Sequence, residues 1–186
     1  MIARELEIPI LIVPPTASIL CAAGMLLSDL QHDFVRSCVG PLAGIEWPHL
    51  LGLVDGMTEE GRLQLRREGI PEERTAHHAI LDLRYLSQYH EVTVPVPRDA
   101  LDRRDLKAIG AAFHGRHNQL FGYDLSEEGT GLELINVRVR SVGRTTKPEL
   151  PRLPAGGKDP GAALKGRRRA FVPERGAFEE VPVYDG

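Results

Sequence analysis

The run from Asp82 to Pro97 constrains the fold more than any other part of the chain. Val92, Val94 and Val96 alternate with Thr93 and Pro95, the period of two that marks a strand with one buried face. Just upstream, Leu81, Leu83 and Tyr85 alternate with Asp82 and Arg84, a second pattern of the same kind. Around these apolar positions stand Asp82, Arg84, Tyr85, Gln88, His90 and Glu91. Each needs a hydrogen-bond partner once it is buried. Strands carrying so many polar groups either form an open sheet edge or line a site.

The segments that follow complete a compact unit. Asp99 or Asp102 is placed to cap a helix ending at Gly122, with Leu106, Ile109, Phe113, His117 and Leu120 along one stripe. A last strand is expected over 132–142, with Ile135, Val137 and Val139 on one face and Asn136, Arg138 and Arg140 on the other. Strand, strand, helix, strand over residues 76–143 makes a small α+β unit in which one helix covers one sheet face.

Residues 1–75 read differently. Residues 1–7 look like the tail of a helix, since helix formers begin with no capping residue before them. Pro9 ends that helix. Residues 10–13 are a continuous apolar run between prolines, the pattern of a strand buried on both faces of a parallel sheet. Such a strand needs neighbours on each side, and they are expected on another chain.

Thr16 or Ser18 can cap a helix over 19–30 that is apolar nearly all round and is expected to be buried on most sides. Gly24 within it costs about 1 kcal/mol relative to Ala, which suits the close approach of a second helix or of a ligand. A short strand is expected at 32–36. A long helix follows over 47–68, with Trp47, Leu50, Val54, Met57 and Leu65 near one stripe and its charges on a solvated face. Gly69 and Pro71 end it. These 75 residues form a partial α/β segment. Residues 144–186, rich in Pro and Gly, are expected to be an extended arm with brief strands near 169–172 and 180–184. The basic run from Lys165 to Arg169 is read as a solvated or partner-facing patch.

Charge and composition narrow the function classes. The chain of 186 residues carries a formal net charge of −3 and a pI near 6.2, without the basic surplus of a nucleic-acid binder. No run approaches the roughly 18 apolar residues of a membrane span, and no export leader is visible. Cys21 and Cys38 lie outside any CxxC pattern, so free thiols in a reducing cytoplasm are expected.

Few side-chain sets on this chain could carry chemistry alone. His114 and His117 stand three apart on the expected helix and could reach one metal ion, with His90 and Glu91 to complete it. His117 lies on the packing stripe, however, where a hydrogen-bonded core histidine is the ordinary arrangement, and no metal site is assigned. His77 and His78 precede a strand, cannot chelate from one face, and are expected at the surface. No G-x-S-x-G, G-x-x-x-x-G-K-[ST] or G-x-G-x-x-G is present. Cys21 and Cys38 have no evident activating base.

Four stretches resemble the hydantoinase A/5-oxoprolinase family, which includes N-methylhydantoinase and the corresponding subunits of acetone and acetophenone carboxylases. The first runs from Ile8-Pro9 through Val13-Pro14-Pro15, Ala22 to Asp29, and His32-Asp33-Phe34-Val35-Arg36. The second is Asp82-Leu83-Arg84-Tyr85 through Gln88 to Glu91-Val92-Thr93-Val94-Pro95. The third is Phe113-His114, His117 and Phe121-Gly122-Tyr123, followed by Glu133 to Val139. The fourth is Pro182-Val183-Tyr184-Asp185. Two positions depart from the pattern: Ser87 replaces a usual glycine before Gln88, and Thr16-Ala17-Ser18 replaces a Pro-Gly turn.

The resemblance implies ATP-driven activation of an amide or carbonyl substrate, in ring opening of hydantoins and 5-oxoproline or in carboxylation of ketones. It implies a mixed α/β and α+β fold: residues 1–75 as a piece of an actin/acetate-kinase-like domain completing a partner's nucleotide-binding-type domain, residues 76–143 as the small β-β-α-β unit, and residues 144–186 as the arm. The family's glycine-rich phosphate-binding segments lie upstream of the first motif and are not in this sequence. The expectation is therefore a portion of a cyclic amide hydrolase subunit, working with an ATP-binding hydantoinase A-like chain and a hydantoinase B-like chain. ATP and a divalent metal are expected on the partner, with no cofactor on this chain. A ketone carboxylase subunit and a non-catalytic assembly subunit are the alternatives. Tyr85, Gln88, Glu91 and His117 are the residues expected to matter, either at an interface or substrate passage or as a buried hydrogen-bond network.

Overall fold

The computed structural model describes residues 2–14, 16–149 and 159–185. In chain order its main elements are α1 (Ile2–Glu5), α2 (Leu20–Leu27), β1 (Leu30–Pro41), α3 (Trp47–Arg67), β2 (Thr75–Tyr85), β3 (Val92–Val96), α4 (Arg98–Asp102), α5 (Leu106–Phe121), β4 (Leu132–Gly143), β5 (Leu164–Val172) and β6 (Ala177–Tyr184). They divide into two compact units, one of residues 28–146 and one formed by the two ends of the chain.

In the first unit four antiparallel strands run in the order β1-β4-β2-β3. α3 lies on β4, β1 and β2, and α5 lies beside β3. α3 forms where the stripe predicts it: Leu50, Val54, Met57, Gly61 and Leu65 are its buried residues, spaced three and four apart on one face. It ends in the glycine motif expected of the sequence. Gly69 sits at φ 80°, its N–H donates to the Arg66 carbonyl, and the Ile70 N–H donates to that of Leu65. The core joins Leu81, Leu83 and Tyr85 of β2, Val92, Val94 and Val96 of β3, and Leu134, Val137 and Val139 of β4 to the inner faces of both helices.

The opposite sheet face explains the charged pair of the 82–97 stretch, Asp82 and Arg84. Asp82, fully buried, accepts from Thr93 Oγ1 at 2.9 Å, Asn136 Nδ2 at 3.1 Å and Arg138 Nε at 2.7 Å. Arg84 pairs with Glu133 and Arg140 with Asp33. These are cross-strand pairs between neighbouring strands, the unit of sheet stabilisation. The Arg140 guanidinium holds the Asp33 carboxyl below its usual range.

Several local expectations are corrected. Ile135 does not share a face with Val137. A register shift opposite Asp82 and Leu83 puts Leu134 in the core in its place, as a bulge does. Neither Asp99 nor Asp102 caps the long helix. The chain breaks after α4, Arg104 takes a left-handed φ of 55°, and Asp105 caps α5 by accepting from the Ala108 N–H at 2.9 Å. Leu120 is exposed rather than packed on the α5 stripe. The strand expected at 32–36 extends over Leu30–Pro41. His77 is half-buried rather than a surface residue: its Nδ1 lies 2.8 Å from Ser141 Oγ, and its Nε2 is buried with no hydrogen-bond partner among the described residues.

In the second unit, residues 10–13 form no strand, and their side chains are 72% to 80% exposed. Both described sheets are antiparallel, so the parallel neighbours that such a run requires are not among the described residues. The α2 helix is shorter than expected, starts from a 3₁₀ turn with no Thr16 side-chain cap, and is exposed along its length, Met25 most of all. The arm is not merely extended. β5 and β6 pair as an antiparallel hairpin, with the Phe171 and Phe178 rings 5.4 Å apart and the Arg169 guanidinium 5.8 Å above the Phe178 ring. Within this unit Arg4 pairs with Glu174 at 2.5 Å. The expected helical tail is present as one turn, α1.

Candidate functional site

The site begins where β2 ends. Tyr85 is fully buried, with its ring edge-on to Phe113 at 4.9 Å and to His117 at 5.0 Å, and stacked at 5.6 Å on His114. Its hydroxyl accepts from the Leu125 N–H at 2.7 Å and lies 2.7 Å from His114 Nδ1. A phenol has one proton to give. With the Leu125 bond using one lone pair, the hydroxyl either gives that proton to His114 Nδ1 or accepts from it, according to the imidazole tautomer. Burial pushes the Tyr85 hydroxyl above its ordinary pKa, partly offset by the Leu125 N–H. Tyr85 is thus a clamp joining the end of β2, the α5 helix and the loop that follows it.

The chain then reverses in a turn closed by the Gln88 N–H donating to the Tyr85 carbonyl at 3.1 Å. Ser87 sits at the third position with φ 71°, a left-handed conformation that favours glycine. This accounts in physical terms for the glycine that is usual at that position. At the far end of α5, Gly122 at φ 80° turns the chain back so that the Tyr123 carbonyl meets His117. The His117 Nδ1–H donates to it at 2.8 Å, which leaves Nε2 as the nitrogen available to other groups. Among the described residues His117 Nε2 has no hydrogen-bond partner, and it is not sealed off from solvent.

Between the 87–90 turn and the end of α5 opens a cleft of about 420 Å³, with Gln88, Tyr89 and His90 on one side and His117, Phe121 and Tyr123 on the other. This lies within the size range of small-ligand sites, about 300–1,000 Å³. Among the residues singled out from sequence, Gln88 and His117 line it and Tyr85 supports it from beneath. Glu91 is exposed and does not line it. Each Nδ1 of His114 and His117 is occupied, one by Tyr85 and one by the Tyr123 carbonyl, and no group of three or more metal-ligating side chains is found among the described residues. Phe121 and Tyr123 were missed as lining residues. The available signal was two aromatics flanking a helix-ending glycine.

A second cavity of about 440 Å³ lies by the β1 irregularity, with Cys38, Gly40, Glu46 and His49 on its walls. Burial pushes the Cys38 thiol above its ordinary pKa, away from the thiolate that a nucleophile needs. The 87–123 cleft is the better candidate because its polar groups are free to meet a ligand.

Comparison with known proteins places this geometry. Residues 52–185 match the model of the hydantoinase/oxoprolinase C-terminal domain. The chain is 31% identical over its whole length to caprolactamase subunit alpha of Pseudomonas jessenii, covering 27% of that protein. It is 28% identical to the acetophenone carboxylase gamma subunit of Aromatoleum aromaticum, over 96% of this chain and 25% of the relative. The crystal structure of ATP-dependent caprolactamase from Pseudomonas jessenii superimposes on 98% of the chain with a TM-score of 0.71, again using 26% of the solved chain. The nucleotide-free structure of acetone carboxylase, at 16% identity and a TM-score of 0.61, shares the fold. The chain thus spans about a quarter of the length of these relatives. With most of its residues inside the matched domain, the chain belongs to the hydantoinase/oxoprolinase family and carries that family's C-terminal domain.

Proposed function

We propose that this chain is the C-terminal portion of a hydantoinase A-type subunit in an ATP-dependent cyclic amide hydrolase of the hydantoinase/5-oxoprolinase kind. The observation that supports this best is its similarity along its whole length to caprolactamase subunit alpha, of which it spans 27%. In this reading the nucleotide and a divalent metal are held by residues outside the chain, on an ATP-binding hydantoinase A-like polypeptide, with a hydantoinase B-like chain completing a cytoplasmic complex. The exposed apolar run at 10–13 is consistent with a surface that such a polypeptide covers. This chain's own contribution is the cleft, where the Tyr123 carbonyl orients the His117 imidazole and Tyr85 packs beneath it.

A second reading, a subunit of an ATP-dependent ketone carboxylase, is favoured by the 28% identity to the acetophenone carboxylase gamma subunit. One experiment separates the two. The chain is co-purified with hydantoinase A- and B-like partners, and ATP turnover is measured with caprolactam, hydantoin and 5-oxoproline, then with acetone or acetophenone plus bicarbonate. Turnover that needs the complex and a cyclic amide is expected. Turnover that needs ketone and bicarbonate replaces the first reading with the second, and ATP hydrolysis by the 186-residue chain alone overturns both.

A further inference from the structure

The basic run from Lys165 to Arg169 falls on β5, and the hairpin leaves most of its charge unpaired. Within this unit Arg4, Lys165 and Arg175 each have a carboxylate, from Glu174, Asp185 and Glu179. Arg167, Arg168 and Arg169 are exposed and have none among the described residues. Opposite them on β6 stand Pro182, Val181 and Glu180, so one carboxylate faces three guanidinium groups. Arg169 does not pair even with that one; its guanidinium lies over the Phe178 ring. A stacked guanidinium keeps its N–H edge for a carboxylate. The backbone beside the run is also unused. β5 pairs with β6 alone, so along its other edge no strand among the described residues takes the N–H and C=O groups. A two-stranded ribbon is marginal by itself and gains from a third strand.

We infer that the free edge of β5 takes, as a third strand, an extended acidic segment of the ATP-binding hydantoinase A-like polypeptide. Consecutive strand residues point to opposite faces, so Arg167 and Arg169 are on one face of the ribbon and Arg168 on the other. A flat acidic surface meets only one of these sets. A strand alongside meets both, since its own side chains alternate to the same two faces while its main chain pairs with the edge. A second copy of this chain is a poor occupant, because β5 against β5 across a two-fold axis sets arginine beside arginine. The choice of polypeptide comes from the rest of the same unit. Arg4 pairs with Glu174 in the hairpin turn, which holds the start of the chain beside the hairpin. The exposed apolar run at 10–13 is read above as covered by that polypeptide. The inference rests on that reading and adds to it the mode of contact.

The test uses the full chain with purified hydantoinase A-like and B-like polypeptides. Hydrogen–deuterium exchange should slow at alternate β5 amides when the hydantoinase A-like polypeptide binds. Arg168→Glu changes one face and Arg167→Glu/Arg169→Glu the other, and each is expected to weaken binding about ten-fold or more. Arg66→Glu/Arg67→Glu, exposed on α3 in the other unit, makes the same charge change as the double β5 variant and should bind as the parent does. Raising salt from about 50 to about 500 mM should weaken the parent and move the β5 variants little. A Phe171–Phe178 ring contact by NMR reports that each variant keeps its hairpin. The glutamine versions, which remove charge without reversing it, should show the same pattern at smaller size. Loss from one face only, no slowing at β5, or equal loss in the α3 variant overturns the inference. Slowing at β5 by the B-like chain alone, or tighter binding of an oligo-dT probe than of the polypeptide, overturns it too. So does normal partner binding by β5 variants that now self-associate, since the arginines then only guard the edge. ATP turnover of the assembled complex is measured in parallel. Turnover driven by a cyclic amide without slowing at β5 sinks the edge assignment alone. Slowing at β5 with no such turnover sinks the functional reading and leaves the added strand.

Discussion

Gly61 offers the sharpest test of how the α3 helix is seated. It lies on the buried stripe with Met57 and Leu65, and a Cβ built on it would sit 1.9 Å from Ser141 Oγ, 2.7 Å from Ser141 Cβ and 3.2 Å from Phe34 Cε2. The hydroxyl could rotate away, but the Ser141 Cβ is fixed to the centre of the sheet, so the helix must lift. Overpacking of this kind costs about 1–3 kcal/mol. Displacing the Ser141 hydroxyl also breaks its bond to His77, about 1 kcal/mol more. Against this stands the better helix propensity of Ala, about 1 kcal/mol. Gly61→Ala is therefore expected to destabilise the chain by about 1–3 kcal/mol. Gly52 and Gly56 share the helix but have nothing within 4 Å of a Cβ, so Gly52→Ala and Gly56→Ala should stabilise by up to about 1 kcal/mol. Urea unfolding followed through the single tryptophan, Trp47 at the helix start, reads all three. A double-mutant cycle of Gly61→Ala with Ser141→Gly should show coupling above about 1 kcal/mol. Gly61→Ala as stable as Gly56→Ala, or no coupling to Ser141, would refute this account of the seating.

Ser87→Gly should raise stability by about 0.5–1 kcal/mol in the same assay, since it removes a left-handed non-glycine residue from the turn; a loss of stability would count against that turn geometry. Arg138→Met leaves the buried Asp82 carboxylate with only Thr93 and Asn136. A loss of about 2–3 kcal/mol is expected, at or below the lower end for buried pairs because the arginine is itself partly exposed; a change below about 0.5 kcal/mol would show that Asp82 does not depend on it. His77 has its pKa lowered, chiefly by burial, so the unfolded chain takes up a proton near pH 6.5, its ordinary value, before the folded one does. Its stabilising contribution is complete above that value and is lost as pH falls through the lower folded one. Urea midpoints should fall between pH 7.5 and 5, and the fall should shrink in His77→Gln; an identical pH profile in the variant would contradict the burial argument.

What the sequence revealed and what it hid divide along the range of the forces involved. The α3 helix was legible because its stripe, Gly69 and Pro71 are local signals, and β2 and β3 were legible because alternation is local too. The bulge that sends Leu134 rather than Ile135 inward is imposed by pairing with β2, which no window on β4 contains. Asp99, Asp102 and Asp105 are equally good caps on paper, and only the break at Arg104 selects the third. The run at 10–13 carries the strongest strand composition in the chain and forms no strand, because a strand is a relation between segments and its composition supplies only half of one. The same distinction settles the polar groups of the 82–97 stretch. Asp82 and Arg84 find partners on adjacent strands and close the sheet, while Gln88 and His117 keep unused capacity facing a cleft. The open sheet edge expected for the polar groups is not where Asp82 and Arg84 stand, since β2 is paired on both sides. The dividing point is Tyr85, whose hydroxyl turns the last strand residue into the floor of the site.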